Sequence, residues 1–344
     1  MPIAFAMALM AFIGTAIYLN PTAAIGLFAT TPYSAIADYM MTSLPLFVMM
    51  GTFAYHAGII ADTYSAARTW FGRLPGGLSV ATFAGCCLFG AVTGSAAATV
   101  GFMTMATLPE MEKYRYDPKL ATGTIAAGSS LAILIPPSVP LIVYGLFAHE
   151  SIGQLFIAGV IPGILLTLLF MVITLVWVTL RPQDGQPGPA TSWREKLNSL
   201  KGLVGLFVLG VLVIGGIYMG FFTPVEAGGI GAAGALIIAF ARGRMNLKKL
   251  FNALVDTARL CGMVFAIIMG ALVLNQFLAI TGLPAMAAKT VTGSGLGMYP
   301  VLALIVVFYI VGGCLMDMVG LMLLTMPILI PIVRALGVDM LMYG

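Results

Sequence analysis

Two long apolar stretches of the chain are interrupted by small, hydroxylated or acidic residues. The residues that let a helix unwind or that offer an oxygen ligand are Gly94, Ser95, Thr99, Gly312, Gly313 and Asp317. Asp317 is the only acid between Asp256 and Asp339. A charge within an apolar run is costly and usually faces a cavity or a partner. We therefore expect Asp317 to coordinate an ion or to organise the local backbone, or else to pair with a base such as Arg334.

A third interruption contains two adjacent prolines, in the sequence Ile135, Pro136, Pro137 and Ser138. Neither proline can donate a backbone hydrogen bond, and Pro136 disfavours a helical conformation at Ile135. The pair therefore predicts a broken helix that exposes carbonyl groups, with Ser138 capping the helix that follows. A simple proline kink is the alternative.

The composition indicates the class of protein in which these residues lie. Of 344 residues only 16 are basic and 12 acidic, so 8% of the chain is charged and 60% is apolar. Soluble domains are about 25% charged, so a soluble fold is excluded. The apolar runs are continuous and long enough for bilayer-spanning helices, and they lack the alternation that a β-barrel requires. The predicted class is an all-α polytopic membrane protein.

Basic residues beside the apolar runs predict the topology. They form four clusters: Arg68 and Arg73; Lys113, Arg115 and Lys119; Arg181, Arg194, Lys196 and Lys201; and Arg242, Arg244, Lys248 and Lys249. The positive-inside rule places all four on the cytoplasmic side. The segment from Gly76 to Pro109 then has both ends on one side, yet two full spans need about 40 residues. A re-entrant helical hairpin with its tip near Gly94 is predicted.

The chain also contains an internal repeat. A shift of 222 residues places Ser95 on Asp317, and it superimposes Gly90 on Gly312, Pro109 on Pro331 and Asp117 on Asp339. A shift of 224 superimposes Phe53 on Phe277 and Gly58 on Gly282. An odd number of crossings between the two copies makes the repeat inverted. Inverted repeats with broken helices are typical of secondary transporters.

At the level of motifs the sequence resembles a known family. The segments that carry the resemblance are Phe89 to Ser95, Leu108 to Met111, Ile133 to Ser138, Leu155 to Gly163, Phe222 to Ala227 and Met316 to Asp317. Together they are similar to the large membrane subunit (DctM type) of tripartite ATP-independent periplasmic (TRAP) transporters. By this resemblance we expect both ends of the chain to be truncated.

The resemblance implies a sodium-driven elevator that carries carboxylates such as C4-dicarboxylates, sialic acid or 2-oxoacids. Its expected partners are a small membrane subunit and a soluble periplasmic substrate-binding protein, and its expected location is a bacterial or archaeal inner membrane. No cofactor is expected apart from sodium as the coupling ion. The residues expected to bind sodium or substrate are Gly94, Ser95, Thr99, Ile135, Pro136, Pro137, Ser138, Gly312, Gly313 and Asp317. Sodium itself is expected at Gly94, Ser95, Gly312, Gly313 and Asp317.

The predicted organisation follows the repeat. Scaffold helices occupy 1–60, and an interfacial arm helix occupies 61–77. A first transport repeat occupies 78–149, with its hairpin at 78–108 and a broken helix at 120–148. Scaffold helices and a second arm, Ser192 to Leu200, occupy 150–281. An incomplete second repeat occupies 282–344, with a hairpin at about 300–336. The segment from Pro182 to Pro189 is the predicted linker and domain boundary.

Three other functions are weighed against this one. An unrelated ion or organic-anion carrier and a channel are the nearest alternatives. An intramembrane enzyme is opposed by the absence of a His-Glu-x-x-His or Gly-x-Ser-x-Gly motif and of a paired acid and base within spans. The sequence predicts that the chain is not an enzyme, and it does not identify the carboxylate.

Overall fold

The computed structural model describes residues 3–188, 191–293 and 295–344, and every regular element in these ranges is helical. The predicted all-α class is confirmed. The predicted N-terminal scaffold begins at Met1 and the predicted linker ends at Pro189, and both of these residues lie outside the described ranges.

Helices of the first part of the chain are α1 (Ile3–Tyr18), α2 (Pro21–Ile36), α3 (Ser43–His56), α4 (Ile59–Phe71), α5 (Gly77–Thr93), α6 (Ala96–Lys113), α7 (Pro118–Ser129), α8 (Leu131–Leu134) and α9 (Val139–Ala148). Those of the second part are α10 (Ile152–Leu180), α11 (Trp193–Gly210), α12 (Gly216–Tyr218), α13 (Pro224–Ala241), α14 (Leu247–Thr281), α15 (Leu283–Gly293), α16 (Met298–Gly313), α17 (Met318–Ala335) and α18 (Met340–Tyr343).

By length and composition, five helical segments of the described chain can cross a membrane. They are Ile152–Leu180, Trp193–Tyr218, Pro224–Ala241, Leu247–Thr281 and Met318–Ala335. Two bent pairs raise the number to as many as seven, and one of them, Pro118–Leu134 with Val139–Ala148, bends by 42° at the proline pair. Helix α5 has 17 residues and α16 has 16. At 1.5 Å per residue each is about 25 Å long, shorter than the roughly 30 Å hydrocarbon core.

The chain forms two compact units. Unit 1 comprises Met1–Thr42, Val143–Ser151 and Ala258–Gly344, and unit 2 comprises Ser43–Ile142 and Ile152–Thr257. In unit 2, α3 packs closely on α13 because Gly228 and Gly231 of α13 leave room for Phe47 and Met50. Small residues permit such close helix contacts in membranes. In unit 1, α15 packs on α17 and α1 on α2.

The 222-residue repeat is reproduced in the local backbone. Asp117 accepts hydrogen bonds from the amides at the start of α7, and Asp339 does the same at the start of α18. Two residues before each cap the backbone is left-handed, with φ of 56° at Arg115 and 74° at Gly337. The two copies therefore end their hairpins with the same turn.

The glycines that the 224-residue shift superimposes also have matching backbone conformations. Gly58 precedes α4 and Gly282 precedes α15, and both have a φ of 70°. Each glycine amide bonds the carbonyl three residues earlier, at 2.7 Å for Gly58 and 3.1 Å for Gly282. Helix α15 is thus the counterpart of α4, the helix at the predicted first arm.

The second predicted arm lies within a longer helix. The sequence predicts an interfacial arm helix at Ser192 to Leu200; in the structure this segment is the first part of α11, which runs from Trp193 to Gly210 and continues through a π-helical turn into α12. A capping box between Ser192 and Glu195 starts this helix. Gly202 does not end it, because the glycine lies against Asp62 and serves close packing.

The predicted linker differs from the structure, since no unit boundary falls between Pro182 and Gly188. Instead the segment is bound to helix ends of unit 2. The carbonyl of Gly185 accepts from Gly76, the carbonyl of Asp184 accepts from Asp117, and Gly188 donates to Gly72. The segment therefore fastens the start of the first hairpin and the start of α7.

Candidate functional site

The first hairpin turns at Gly94, which lies against the proline break. Gly94 ends α5 with a φ of 58°, and its carbonyl accepts a hydrogen bond from the amide of Val139 at 3.1 Å. A side chain at Gly94 would collide with the Pro137 carbonyl. Only glycine adopts this backbone conformation without strain and leaves the space empty. The structure thus brings together Gly94 and Pro137, two of the predicted site residues.

Ser95 begins the second helix of the hairpin. Its backbone is extended, and its hydroxyl lies 3.4 Å from the amide of Ala98, a long contact for an N-cap. The hydroxyl of Thr99 donates to the Ser95 carbonyl at 2.8 Å and lies 3.3 Å from the hydroxyl of Thr93. Three hydroxyl groups therefore surround the turn, and that of Ser95 makes the weakest hydrogen bond of the three.

The proline pair changes the hydrogen bonding of the backbone around it. Pro136 and Pro137, joined by a cis peptide bond, cannot donate to the carbonyls of Ala132 and Ile133, which lose their helical donors. The Ser138 hydroxyl replaces one of these donors by bonding the Ile133 carbonyl at 2.5 Å. The same hydroxyl accepts from the amide of Leu141 at 3.4 Å, a long N-cap contact at the start of α9 like that of Ser95.

Glycines of neighbouring helices let α5 and α10 pack directly against the proline break. In α10, a Cβ atom at Gly159 would lie 2.6 Å from the Leu134 carbonyl oxygen, and one at Gly163 would lie 2.6 Å from the Ile135 side chain. In α5, a Cβ atom at Gly90 would lie 2.6 Å from the backbone of Ala132. The sequence pattern did not identify these glycines, or Thr93, as site residues. The small-xxx-small spacing of Gly159 and Gly163 is the signal that could have found the α10 pair.

Two helices begin at the turn, but only one has unused amides. In α9 the Val139 amide bonds Gly94, Pro140 has no N–H, and the Leu141 amide bonds Ser138. In the described part of the chain no hydrogen bond uses the amides of Ala96 and Ala97, the first two residues of α6. The positive end of a helix dipole attracts anions. The start of α6 is therefore the better place for a carboxylate.

The second hairpin has a longer turn, from Cys314 to Asp317. Asp317 N-caps α17, and its carboxylate accepts from the amide of Val319 at 3.1 Å. Asp317 and Gly313 are exposed. The Gly312 carbonyl already accepts from the amides of Leu315 and Met316, both at 3.0 Å. Asp317 therefore has carboxylate lone pairs to offer a cation, whereas the Gly312 carbonyl is already occupied.

Arg334 is not the ion-pair partner of Asp317. Its guanidinium donates to the carbonyl of Ala148 at 2.8 Å, and among the described residues no salt bridge includes Asp317. The ion-pair alternative for Asp317 therefore finds no support in the described residues.

An acid and a base that the sequence analysis did not pair are adjacent in unit 2. The Nε2 atom of His56, at the end of α3, lies 3.0 Å from the Asp256 carboxylate in α14. One turn away, the hydroxyls of Thr52 and Thr257 are 2.7 Å apart. These four side chains fasten α3 to α14.

Comparisons with known proteins identify the family. The family model described as the DctM component of the tripartite ATP-independent periplasmic transporter matches residues 1–344. The chain is 32% identical to the C4-dicarboxylate TRAP transporter large permease protein DctM of Pseudomonas aeruginosa, covering 92% of the chain and 73% of that relative. It is 29% identical to the sialic acid TRAP transporter large permease protein SiaM of Vibrio cholerae, covering 100% of the chain and 80% of the relative.

A solved structure has a similar fold. The crystal structure of the Alcanivorax borkumensis YdaH transporter aligns with a TM-score of 0.62 at 15% identity, covering 92% of this chain and 75% of that one. The family relatives are transport permeases, so the prediction that the chain is not an enzyme is confirmed. This chain is a multi-pass membrane protein that belongs to the DctM component family of TRAP transporters.

Proposed function

We propose that the protein is the permease subunit of a sodium-coupled secondary transporter that imports carboxylates across the inner membrane. The observation that carries the proposal is the turn at Gly94 and Ser95. It places the unused amides of Ala96 and Ala97 beside the hydroxyls of Ser95 and Thr99. Amides suit a carboxylate, and hydroxyl and carbonyl oxygens suit a hard cation such as sodium.

Asp317 of the second hairpin is proposed to bind sodium with its carboxylate. Transport is proposed to follow an elevator mechanism, in which the two hairpins move with the substrate against the scaffold helices. The repeated helix–turn–helix pattern and the short helices α5 and α16 support the assignment of the hairpins.

The proposed partners are a small membrane subunit and a periplasmic binding protein. The tripartite family supports this proposal. Two relatives named for a C4-dicarboxylate and for sialic acid support a carboxylate as the substrate. Because the relatives differ in substrate, the choice among carboxylates is proposed to rest with the binding protein.

The test is uptake by proteoliposomes that contain the chain with its small subunit. Radiolabelled C4-dicarboxylates, sialic acid and 2-oxoacids are supplied with and without binding protein, and with and without an inward sodium gradient. Uptake of one carboxylate that requires both is expected. Uptake indifferent to both would contradict the proposal, and counterflow of unlabelled substrate separates a carrier from a channel.

A further inference from the structure

A basic pocket of unit 2 is unrelated to the hairpin turn. It has a volume of about 490 Å³ and is lined mainly by polar residues of α4, α11 and the end of α13: Asp62, Ser65, Asn198, Lys201, Arg242 and Arg244. Lys201 and the two arginines come from two of the clusters that the positive-inside rule places in the cytoplasm. The fold thus gathers cytoplasmic cations into one depression.

One carboxylate holds the two arginines in position. The same Asp62 oxygen accepts from Nη1 of Arg242 and from Nη1 of Arg244, each at 2.8 Å. Arg244 also donates to the Gly58 carbonyl at 3.2 Å. Each guanidinium has five N–H donors, so both retain donors that these bonds do not use. The two arginines are therefore fixed in place before any ligand arrives.

The charges in the pocket do not cancel. Asp62 is the only acid in the lining and faces three cations, which leaves a net charge of +2. The ammonium of Lys201 has no hydrogen-bond or ion-pair partner among the described residues, and Lys201 is exposed. The hydroxyl of Ser65 and the amide of Asn198 add neutral polar groups. Such a pocket suits a phosphate group, whose oxygens accept from arginine forks and ammonium groups.

Aromatic residues indicate that the pocket lies at the membrane surface. One turn before it on α11, Trp193 packs edge-on against Trp70 of α4 with ring centroids 6.4 Å apart. The Lys196 ammonium lies over both rings, at 5.1 Å from Trp193 and 5.8 Å from Trp70. Tryptophans are enriched at the level of lipid headgroups.

An exposed apolar flank continues from the pocket along α11. Leu197 is 62% exposed and Val204 is 56% exposed, on either side of Lys201 in sequence. A lipid bound by its headgroup in the pocket could lay its acyl chains along this helix. A soluble phosphate compound would make no use of the flank.

We infer that this pocket binds the phosphate group of an anionic phospholipid headgroup, such as phosphatidylglycerol, from the cytoplasmic leaflet. Basic pockets between membrane helices on the cytoplasmic side are suited to such headgroups. The net positive charge selects an anionic lipid over a zwitterionic one that carries the same phosphate. The inference does not depend on the substrate or the coupling ion of transport.

The test measures thermal unfolding of the full chain, purified in an uncharged detergent and delipidated. The midpoint is followed while dioleoyl-phosphatidylglycerol, dioleoyl-phosphatidylcholine or inorganic phosphate is titrated. The variant is Lys201→Gln, whose exposed side chain has no partner among the described residues, so folding should be unaffected. Lys248→Gln, at another exposed lysine outside the pocket, controls for the loss of one charge.

Phosphatidylglycerol should raise the midpoint more than phosphatidylcholine does. Its binding should weaken about fivefold in Lys201→Gln and remain unchanged in Lys248→Gln. If inorganic phosphate stabilises the protein as strongly, and with the same dependence on Lys201, the pocket is a phosphate site whose ligand is a soluble phosphate compound rather than a lipid. Equal stabilisation by both lipids, or equal losses in both variants, would overturn the inference.

Discussion

The carbonyl of Gly94 accepts a hydrogen bond from the amide of Val139, which joins the turn of the first hairpin directly to the helix that follows the proline pair. The two segments are 45 residues apart in sequence, since 139 less 94 is 45. Movement of one segment must therefore move the other or break this bond. The two interruptions act as one structural feature.

Gly94→Ala should abolish most uptake. A left-handed backbone costs alanine roughly 1 kcal/mol or more, and the new methyl group would collide with the Pro137 carbonyl. We expect uptake by proteoliposomes to fall by at least about tenfold, since each 1.4 kcal/mol is a factor of ten. Gly101→Ala is the matched control because nothing lies within 4 Å of a Cβ atom there. Similar losses in both variants would contradict the role of the turn.

Ser95→Ala should raise the sodium concentration needed for half-maximal uptake. The Ser95 hydroxyl makes only a 3.4 Å contact, so it is available to a cation. If the contact between a hydroxyl oxygen and the ion is worth as much as a hydrogen bond to a charged group, about 1.5–3 kcal/mol, its loss weakens sodium binding roughly tenfold or more. Thr82→Val removes a buried hydroxyl of the same hairpin, one that bonds the Leu78 carbonyl at 2.8 Å. That control should leave the sodium dependence unchanged, and a shift common to both variants would refute the assignment.

Asp317→Asn should weaken sodium dependence with little effect on stability. Asparagine caps helices about as well as aspartate, so the bond to Val319 should persist while the negative charge is lost. Asp339→Asn is the matched control, since Asp339 also N-caps a helix of unit 1. Sodium-dependent uptake and thermal unfolding of both variants are compared. Unchanged sodium dependence in Asp317→Asn would remove this residue from the proposed site.

Much of the fold could be predicted because its signals are local. Asp117 precedes a proline at the start of α7, and Gly58 and Gly282 occupy left-handed positions, so spacing alone locates these turns. The proline pair likewise fixes the break by removing two donors. Gly94 and Ser95, a glycine and a hydroxylated residue within an apolar stretch, are local signals of the same kind.

The remainder depends on contacts that the sequence does not encode locally. His56 meets Asp256 at a sequence separation of 200 residues, and Asp62 meets Arg242 at a separation of 180. Gly202 could have ended a helix, and its close approach to Asp62 is what shows that it serves packing instead. Such roles of glycine and charge emerge only when distant helices are placed side by side.

Ser138→Ala should destabilise the proline break. The variant loses the N-cap of α9 and leaves the Ile133 carbonyl without the donor that replaced its helical partner. Loss of a cap costs about 0.5–2 kcal/mol, and the partly buried Ile133 carbonyl adds to this cost when it loses its donor. Because Ser138 is fully buried, water cannot easily supply the missing donor. We expect a lower midpoint of thermal unfolding in detergent.

Ser130→Ala is the control for that variant. The Ser130 hydroxyl also bonds a backbone carbonyl, that of Ala127 at 2.7 Å, but this carbonyl accepts from the Ser130 amide as well, at 3.2 Å, and Ser130 is partly exposed. Ser130 has helical backbone angles at the junction of α7 and α8 and makes no side-chain cap bond to α8, so alanine, which has the higher helix propensity, should cost little there. The midpoint should therefore fall clearly in Ser138→Ala and hardly change in Ser130→Ala. Equal midpoints would mean that the break is held by the glycines of α5 and α10 rather than by the Ser138 hydroxyl.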